Sequence, residues 1–160
     1  MSDRERAADA GASLRRGLLA IASLGVVGIW LELAVARHWK TTVQFVPWLA
    51  GAVVALGVLL VARKPTYPRL VAARILGVAC AGSGIFGVIQ HVKSNYDSGE
   101  LDAIYGPKWA TMSTASRLWH AAIESVGPSP SFAPGALALI AACLLLATVR
   151  HPAAQQARVQ

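Results

Sequence analysis

The sequence predicts an all-α integral membrane protein, a four transmembrane helix bundle with an amphipathic interfacial helix in a long outer loop. Of its 160 residues, 55% are hydrophobic and only 14% are charged, whereas a typical soluble domain has about 25% charged residues. The mean hydropathy is +0.50, and apolar stretches long enough to cross a bilayer make up about half of the chain. So few charged residues could not solvate a globular domain of this size, and the apolar content is too high for a disordered chain.

The apolar stretches lie at 17–36, 43–62, 70–92 and 132–149. A hydrocarbon core of about 30 Å needs about 20 apolar residues in a helix, and helical segments satisfy their own backbone groups in lipid. Each stretch is therefore predicted to be a transmembrane helix. The remaining segments are an N-terminal tail (1–16), an outer loop (93–131) and a C-terminal tail (150–160).

The distribution of Lys and Arg predicts the orientation of these helices. The side with both tails and the 63–69 loop carries Arg4, Arg6, Arg15, Arg16, Arg63, Lys64, Arg69, Arg74, Arg150 and Arg158. The other side carries half as many, namely Arg37, Lys40, Lys93, Lys108 and Arg117. Because the side richer in Lys and Arg stays in the cytoplasm, both termini are predicted to be cytoplasmic and the membrane to be a bacterial inner membrane. A nucleic-acid partner is not expected, since no basic stripe is interleaved with stacking aromatics.

All the tryptophans fall in the predicted outer half of the molecule. They are Trp30, Trp39, Trp48, Trp109 and Trp119. Aromatic belts ordinarily occupy both interfaces of a membrane, so the one-sided distribution indicates an outer face that anchors in lipid headgroups or contacts a partner.

Within the outer loop, residues 108–126 are predicted to form an amphipathic helix. Its apolar residues are Trp109, Met112, Trp119, Ala122, Ile123 and Val126, and Arg117 lies largely on the opposite face. These spacings describe one helical face, and Gly106-Pro107 and Gly127-Pro128 supply a start and a stop. The apolar face could lie on the membrane surface or cap the mouth of the bundle.

Glu32 and His91 are ionisable residues inside predicted spans. Glu32 shares a helix face with Gly25 and Gly28, and His91 shares one with a small-residue stripe that begins at Gly77. Small residues let helices approach closely, so both side chains are expected to face neighbouring helices. Because an unpaired acid in the bilayer is costly, Glu32 is predicted to pair with His91. A carboxyl group that reaches the outer interface, or that is protonated, is the alternative.

The sequence contains no motif for nucleophilic catalysis and no spaced set of metal ligands. No catalytic residue, metal or cofactor is therefore predicted. A haem would need axial ligands from His38, His91 and His120, and only His91 lies nearly inside a helix. Cys80 and Cys143 lie near the middle of two predicted helices and form no CxxC motif.

Several short motifs lie in the outer loop and the last helix. They are Asp102-Ala103-Ile104-Tyr105 with Trp109, Met112-Ser113, Ser116-Arg117-Leu118-Trp119, Gly127-Pro128-Ser129-Pro130, Ala133-Pro134-Gly135 and Ala147-Thr148-Val149-Arg150-His151-Pro152. In this region, about a third of the chain, the sequence resembles uncharacterised small four-span membrane proteins of high-GC bacteria. The resemblance implies a shared outer loop and last helix and carries no activity.

We therefore expect a non-enzymatic accessory or interaction subunit of a membrane assembly. Its contacts would be membrane lipids and a membrane-protein partner or a second copy, reached through the Trp-rich outer face. The alternative is a small proton-coupled transporter using Glu32 and His91, since an acid in the first of four spans is similar to the small multidrug resistance transporters. A further alternative is a haem- or quinone-binding electron-transfer subunit.

Overall fold

The computed structural model describes residues 2–63 and 65–157. Helices make up 77% of the structure, and the described residues form no strand, so the all-α class is confirmed. The helices are α1 (Asp3–Val35), α2 (Val46–Ala62), α3 (Tyr67–Ser98), α4 (Gly106–Trp109), α5 (Thr114–Ala122), α6 (Gly135–Ala147) and α7 (Pro152–Gln156), with 3-10 turns at Thr42–Phe45 and Gly99–Leu101. Lys64 and Arg158, which enter the charge distribution above, lie outside the described residues.

Three helices are long and apolar enough to cross a membrane, namely α1, α2 with its preceding turn, and α3. With 33 residues, α1 is about 50 Å long, so the helix begins well before the predicted span at 17–36 and includes most of the predicted tail. A capping box explains this early start, because the Ser2 hydroxyl accepts from the Glu5 N–H and the Glu5 carboxylate accepts from the Ser2 N–H.

The last apolar stretch, predicted as a span at 132–149, forms a shorter helix. Only the 13 residues of α6 are helical, which corresponds to about 20 Å. A turn that contains Pro134 precedes the helix, and the Gly135 N–H donates to the Phe132 carbonyl at 2.9 Å. At the other end, the Thr148 N–H donates to the Leu145 carbonyl at 3.0 Å, which tightens the last turn and ends the helix.

The loop helix predicted at 108–126 is two short helices, α4 and α5, because the chain turns between Ala110 and Ser113. Ser113 has an extended backbone, and its hydroxyl accepts from the Ser116 N–H at 3.2 Å, so a new helix begins there. Glu124, at φ +61°, adopts the left-handed conformation that ends α5. The apolar spacing alone predicts one continuous helix, but the Ser113 cap starts a second helix and the left-handed Glu124 ends it.

The described chain divides into two compact units. The helical unit is Met1–Ser83 with Ala136–Gln160, and the loop unit is Gly84–Gly135. The core of the helical unit includes Val26, Val54, Leu70 and Leu144. A smaller core in the loop unit is built around Trp109, Ala121 and Val126.

Within the helical unit, α6 packs against each of the three long helices at a glycine. The contacts are Gly25 with Ile140, Gly57 with Leu144, and Gly77 with Leu145. A Cβ added at these glycines would lie 2.5–2.9 Å from the partner side chain, so the absence of a side chain is what permits the close approach. The small residues of the apolar stretches thus serve helix packing.

Polar contacts fix the direction of α6 relative to α3. The Arg74 guanidinium donates from Nε to the Thr148 hydroxyl at 3.0 Å and from Nη2 to the Thr148 carbonyl at 2.8 Å. The Cys80 thiol, two turns further along α3, lies 3.7 Å from the carbonyl of Leu137. Because the α6 numbering falls as the α3 numbering rises, the two helices are antiparallel.

Candidate functional site

Trp109 lies at the centre of the core of the loop unit. Trp109 is 2% exposed, and its ring meets that of Tyr96 edge-on with a centroid separation of 5.6 Å. Gly99 leaves the space that this indole occupies. Trp109, predicted as part of the outer contact surface, is therefore an internal residue.

The start of the loop helices is fixed by Asp102. Its Oδ1 accepts from the N–H groups of Ile104 and Tyr105, each at 2.8 Å. These hydrogen bonds hold the pKa of the Asp102 carboxyl below its usual value, and the bond from Tyr105 has the larger effect. The ionised carboxylate thus orders the turn from which α4 begins.

A fully buried asparagine, Asn95 of α3, fastens the end of the loop. Its Nδ2 donates to the carbonyls of Ala121 and Ser129 and to the Ser131 hydroxyl, at 2.7–3.2 Å. Its Oδ1 accepts from the Ser129 N–H at 2.8 Å. Gly127, at φ +75°, packs directly on the Asn95 side chain, where a Cβ would clash. The segment after α5 is thereby held against α3.

Arg117 and His120, both half-buried, connect α5 to the rest of the loop unit. The Arg117 guanidinium lies over the Tyr96 ring, 5.4 Å from its centroid, and its buried Nε has no hydrogen-bond partner among the residues that the structure describes. The His120 ring lies 4.2 Å from the Tyr105 ring by centroids, and its Nδ1 is 2.7 Å from the Ser125 hydroxyl. Both polar residues therefore face the interior of the unit.

The opposite side of α5 presents large apolar side chains. Leu118 is 47% exposed, Trp119 is 63% exposed, and Ile123, at the end of the helix, is 46% exposed. Trp119 and Ile123 are four residues apart and so share one helical face. We call these three residues the α5 ridge.

The three remaining tryptophans come together in the helical unit. The Trp30 indole donates to the Trp48 carbonyl at 3.3 Å, and the Trp48 indole donates to the His38 carbonyl at 2.8 Å. The rings of Trp39 and Trp48 are 6.3 Å apart by centroids. These contacts pin the connection between α1 and α2, while Trp39 stays 46% exposed.

Glu32 and His91, predicted to pair, belong to different units. Glu32 is exposed on α1. Nδ1 of His91 lies 2.9 Å from the carbonyl oxygen of Pro130 within the loop unit. Since a carbonyl only accepts, Nδ1 carries the proton and donates this hydrogen bond. The Glu32–His91 pair remains a prediction.

Gln44 stabilises the start of the second apolar stretch. Its Oε1 accepts from the N–H groups of Lys40 and Thr41, at 2.6 Å and 3.3 Å. This contact caps the 3-10 turn that precedes α2. In the part of the chain that the structure describes, no three His, Cys, Asp or Glu side chains are grouped as metal ligands.

For two structural residues, Asn95 and Arg74, the sequence does not indicate the partners. The partners of Asn95 lie 26 to 36 residues away, beyond any local spacing. Arg74 stands alone in an apolar stretch, which does mark it as a residue that needs a partner, but nothing in the spacing indicates Thr148.

No protein-family model matches the chain, and neither the curated proteins nor the solved structures include one that is significantly similar to it. The resemblance to small four-span bacterial proteins accordingly remains a prediction.

Proposed function

We propose that this chain is a four-span protein of a bacterial cytoplasmic membrane, with both termini in the cytoplasm, and that it acts as a non-enzymatic accessory subunit. It binds a membrane-protein partner through the α5 ridge. The observation that carries the proposal is the exposure of Trp119, flanked by Leu118 and Ile123, on a helix whose Arg117 and His120 side chains pack on rings inside the loop unit.

The directions of the helices support four crossings. Leu137 and Thr148 contact Cys80 and Arg74 in reverse order, so α6 runs opposite to α3. The chain after α6 reaches His151, which shares a cleft with Arg15 of α1 and Val61 of α2. A returning fourth helix brings the C-terminal segment back to the end of the unit where the first apolar stretch begins.

The composition of α5 favours a protein partner over lipid. Helices that lie on membranes are rich in Lys and Arg along their polar face, yet Arg117 is the only such residue of α5 and its guanidinium lies on Tyr96. Exposed Trp with few charged neighbours is typical of the central part of protein interfaces. An interfacial helix lying on lipid is therefore the weaker interpretation of this segment.

The test is co-purification of the full chain in a mild detergent, with partner stoichiometry measured by quantitative mass spectrometry. The paired substitutions Trp119→Ser and Ile123→Ser should lower partner recovery at least about tenfold, because a buried interface Trp commonly contributes about 2 kcal/mol or more. The matched control is Leu101→Ser with Ile104→Ser, which removes two side chains that are 89% and 73% exposed elsewhere in the loop unit.

Partner recovery at a fixed ratio that the α5 pair abolishes and the control pair retains supports the proposal. Equal loss in both pairs would mean that general surface hydrophobicity drives the association. Recovery of lipid or of a second copy of this chain, in place of a partner, would contradict the assignment of the α5 ridge to a different protein.

A further inference from the structure

A basic cleft lies in the helical unit. It has a volume of about 410 Å³, and its lining residues are Ala12, Arg15, Arg16, Leu19, Val61, Ala62 and His151. This volume falls in the range of about 300–1,000 Å³ that is typical of small-ligand pockets. Three chain segments contribute to it, namely α1, the end of α2 and the segment between α6 and α7.

The charge in this cleft is not balanced by the residues that line it. Arg15 and Arg16 bring two guanidinium groups, and no acidic side chain is among the described lining residues. Arg16 uses one N–H on the Ser13 hydroxyl, at 3.2 Å, out of the five donors that a guanidinium offers. The remaining donors can bind an anion with bidentate geometry.

A third positive charge lies nearby and is also not neutralised by its partner. Among the described residues, Arg74 donates to the hydroxyl and carbonyl of Thr148, which are uncharged groups. Burial lowers the pKa of His151 most, and the charges of Arg15 and then Arg74 lower it further. The pKa of the His151 imidazole therefore depends on the positive potential of the cleft.

The lining divides into a cationic part and an apolar part, and this division indicates the chemistry of the ligand. The arginines immediately precede the apolar stretch that begins at Gly17, which is the depth at which phosphate groups of a bilayer lie. Leu19 is one turn further into that stretch and faces the cleft together with Val61. A ligand with a phosphate and an apolar continuation would meet both parts.

We propose that this cleft is a phosphate-binding site in which Arg15 and Arg16 hold a phosphate group. The source is either the headgroup of an anionic phospholipid, whose chains would lie along Leu19 and Val61, or a soluble phosphate. The site is independent of the α5 ridge and of any partner bound there.

The experiment uses the full chain, delipidated in a non-ionic detergent, with lipid adducts counted by native mass spectrometry. Phosphatidylglycerol, phosphatidylcholine and inorganic phosphate are added separately. Phosphatidylglycerol should bind more tightly than zwitterionic phosphatidylcholine. The Arg15→Gln with Arg16→Gln variant should weaken phosphatidylglycerol binding between about tenfold and about thirtyfold, since each basic residue near a membrane surface contributes about 1 kcal/mol.

The matched control is Arg63→Gln with Arg150→Gln, which removes the same charge from exposed residues outside the cleft lining. This control should weaken binding clearly less than the Gln pair, because it removes long-range attraction but no guanidinium that lines the cleft. Arg15→Lys with Arg16→Lys keeps the charge and should retain part of the affinity. If the Gln pair does not fold, the Lys pair still tests the site, because loss of the bidentate guanidinium should weaken binding measurably.

A second readout is the titration of the His151 ring by NMR, assigned with a His151→Gln variant. The groups facing His151 are Arg15 and Arg16 of α1 and Arg74 of α3, and a bound phosphate opposes their charge. The His151 pKa should therefore rise when the phosphate binds to the unsubstituted chain, whereas adding the phosphate to the Gln pair should leave the His151 pKa of that variant unchanged.

Selective binding of phosphatidylglycerol with a rise in the His151 pKa assigns the site to a lipid headgroup. The same rise with inorganic phosphate, without a preference between the two lipids, assigns it to a soluble phosphate. Equal loss of binding in the Gln pair and the control pair, or no response of His151 to either ligand, overturns the proposal.

Discussion

At the scale of single residues, the loop unit depends on Asn95. A buried amide is stable only when its donors and acceptor are satisfied, and Asn95 satisfies them with groups from the segment that follows α5. The same contacts satisfy the Ser129 N–H and the Ala121 carbonyl. One side chain thus supplies hydrogen-bond partners that regular secondary structure would otherwise provide for this segment.

We expect Asn95→Ala to destabilise the loop unit by about 3 kcal/mol. The substitution leaves the Ser129 N–H without its acceptor and opens a cavity beside Gly127, and a buried unsatisfied group alone costs about 1–3 kcal/mol. Hydrogen exchange of the peptides that cover 120–131 should accelerate accordingly. The control is Ser94→Ala, which removes only an exposed 3.3 Å contact with the Ser129 hydroxyl. Unchanged exchange in the Asn95 variant would contradict this role.

Trp109 and Trp119 show how far the exposure of single residues could be predicted from the sequence. Apolar spacing placed both indoles on one helical face, but only Trp119 is exposed and Trp109 is buried. The chain turns between them because Ser113 caps a new helix, and a capping serine has the same appearance in sequence as a solvent-facing one. The distribution of tryptophans therefore predicts a contact surface in the outer loop, but the helix cap at Ser113 determines that Trp119 is exposed and Trp109 is buried.

At the scale of elements, α6 is the helix that α1, α2 and α3 each contact through a glycine. Its Leu144 is fully buried and approaches Gly57 of α2. Gly25 and Gly77 receive neighbouring side chains of α6 in the same way. Periodicity predicted this apolar stretch and small-residue stripes predicted close packing, but which glycine receives which side chain depends on tertiary structure.

Substituting Gly57 by leucine should disrupt this packing. An added Cβ would already lie 2.5 Å from Cδ2 of Leu144, and because Leu144 is fully buried it cannot swing outwards. Overpacking of this kind commonly costs about 1–3 kcal/mol, so the detergent-solubilised Gly57→Leu protein should aggregate at a lower temperature. Gly82→Leu is the matched control, since Gly82 is on an exposed helix face with no atom within 4 Å of an added Cβ. Equal aggregation temperatures would refute tight packing at Gly57.

At the scale of the whole molecule, the number of crossings depends on how a 13-residue helix could traverse a bilayer. Its length of about 20 Å falls short of a core of about 30 Å, so the chain on either side of it would also lie at membrane depth. Non-helical backbone is tolerated there only when it is buried and satisfied by protein groups. Ser131 before the helix and Thr148 after it are both buried and hydrogen-bonded, by Asn95 and Arg74 respectively.

Four crossings place the C-terminal segment on the same side of the membrane as the N-terminus, whereas three crossings place the two ends on opposite sides. Green fluorescent protein, which fluoresces only when folded in the cytoplasm, should therefore be fluorescent when fused after α7, and alkaline phosphatase at the same point should be inactive. A fusion within the 63–69 loop is cytoplasmic in both topologies and calibrates the signal, while one at Gly99 should give the reverse result. Active phosphatase after α7, with the other two fusions as expected, would show that α6 turns back without crossing. In that case the contacts of α6 with the three long helices would form inside the bundle as a re-entrant segment.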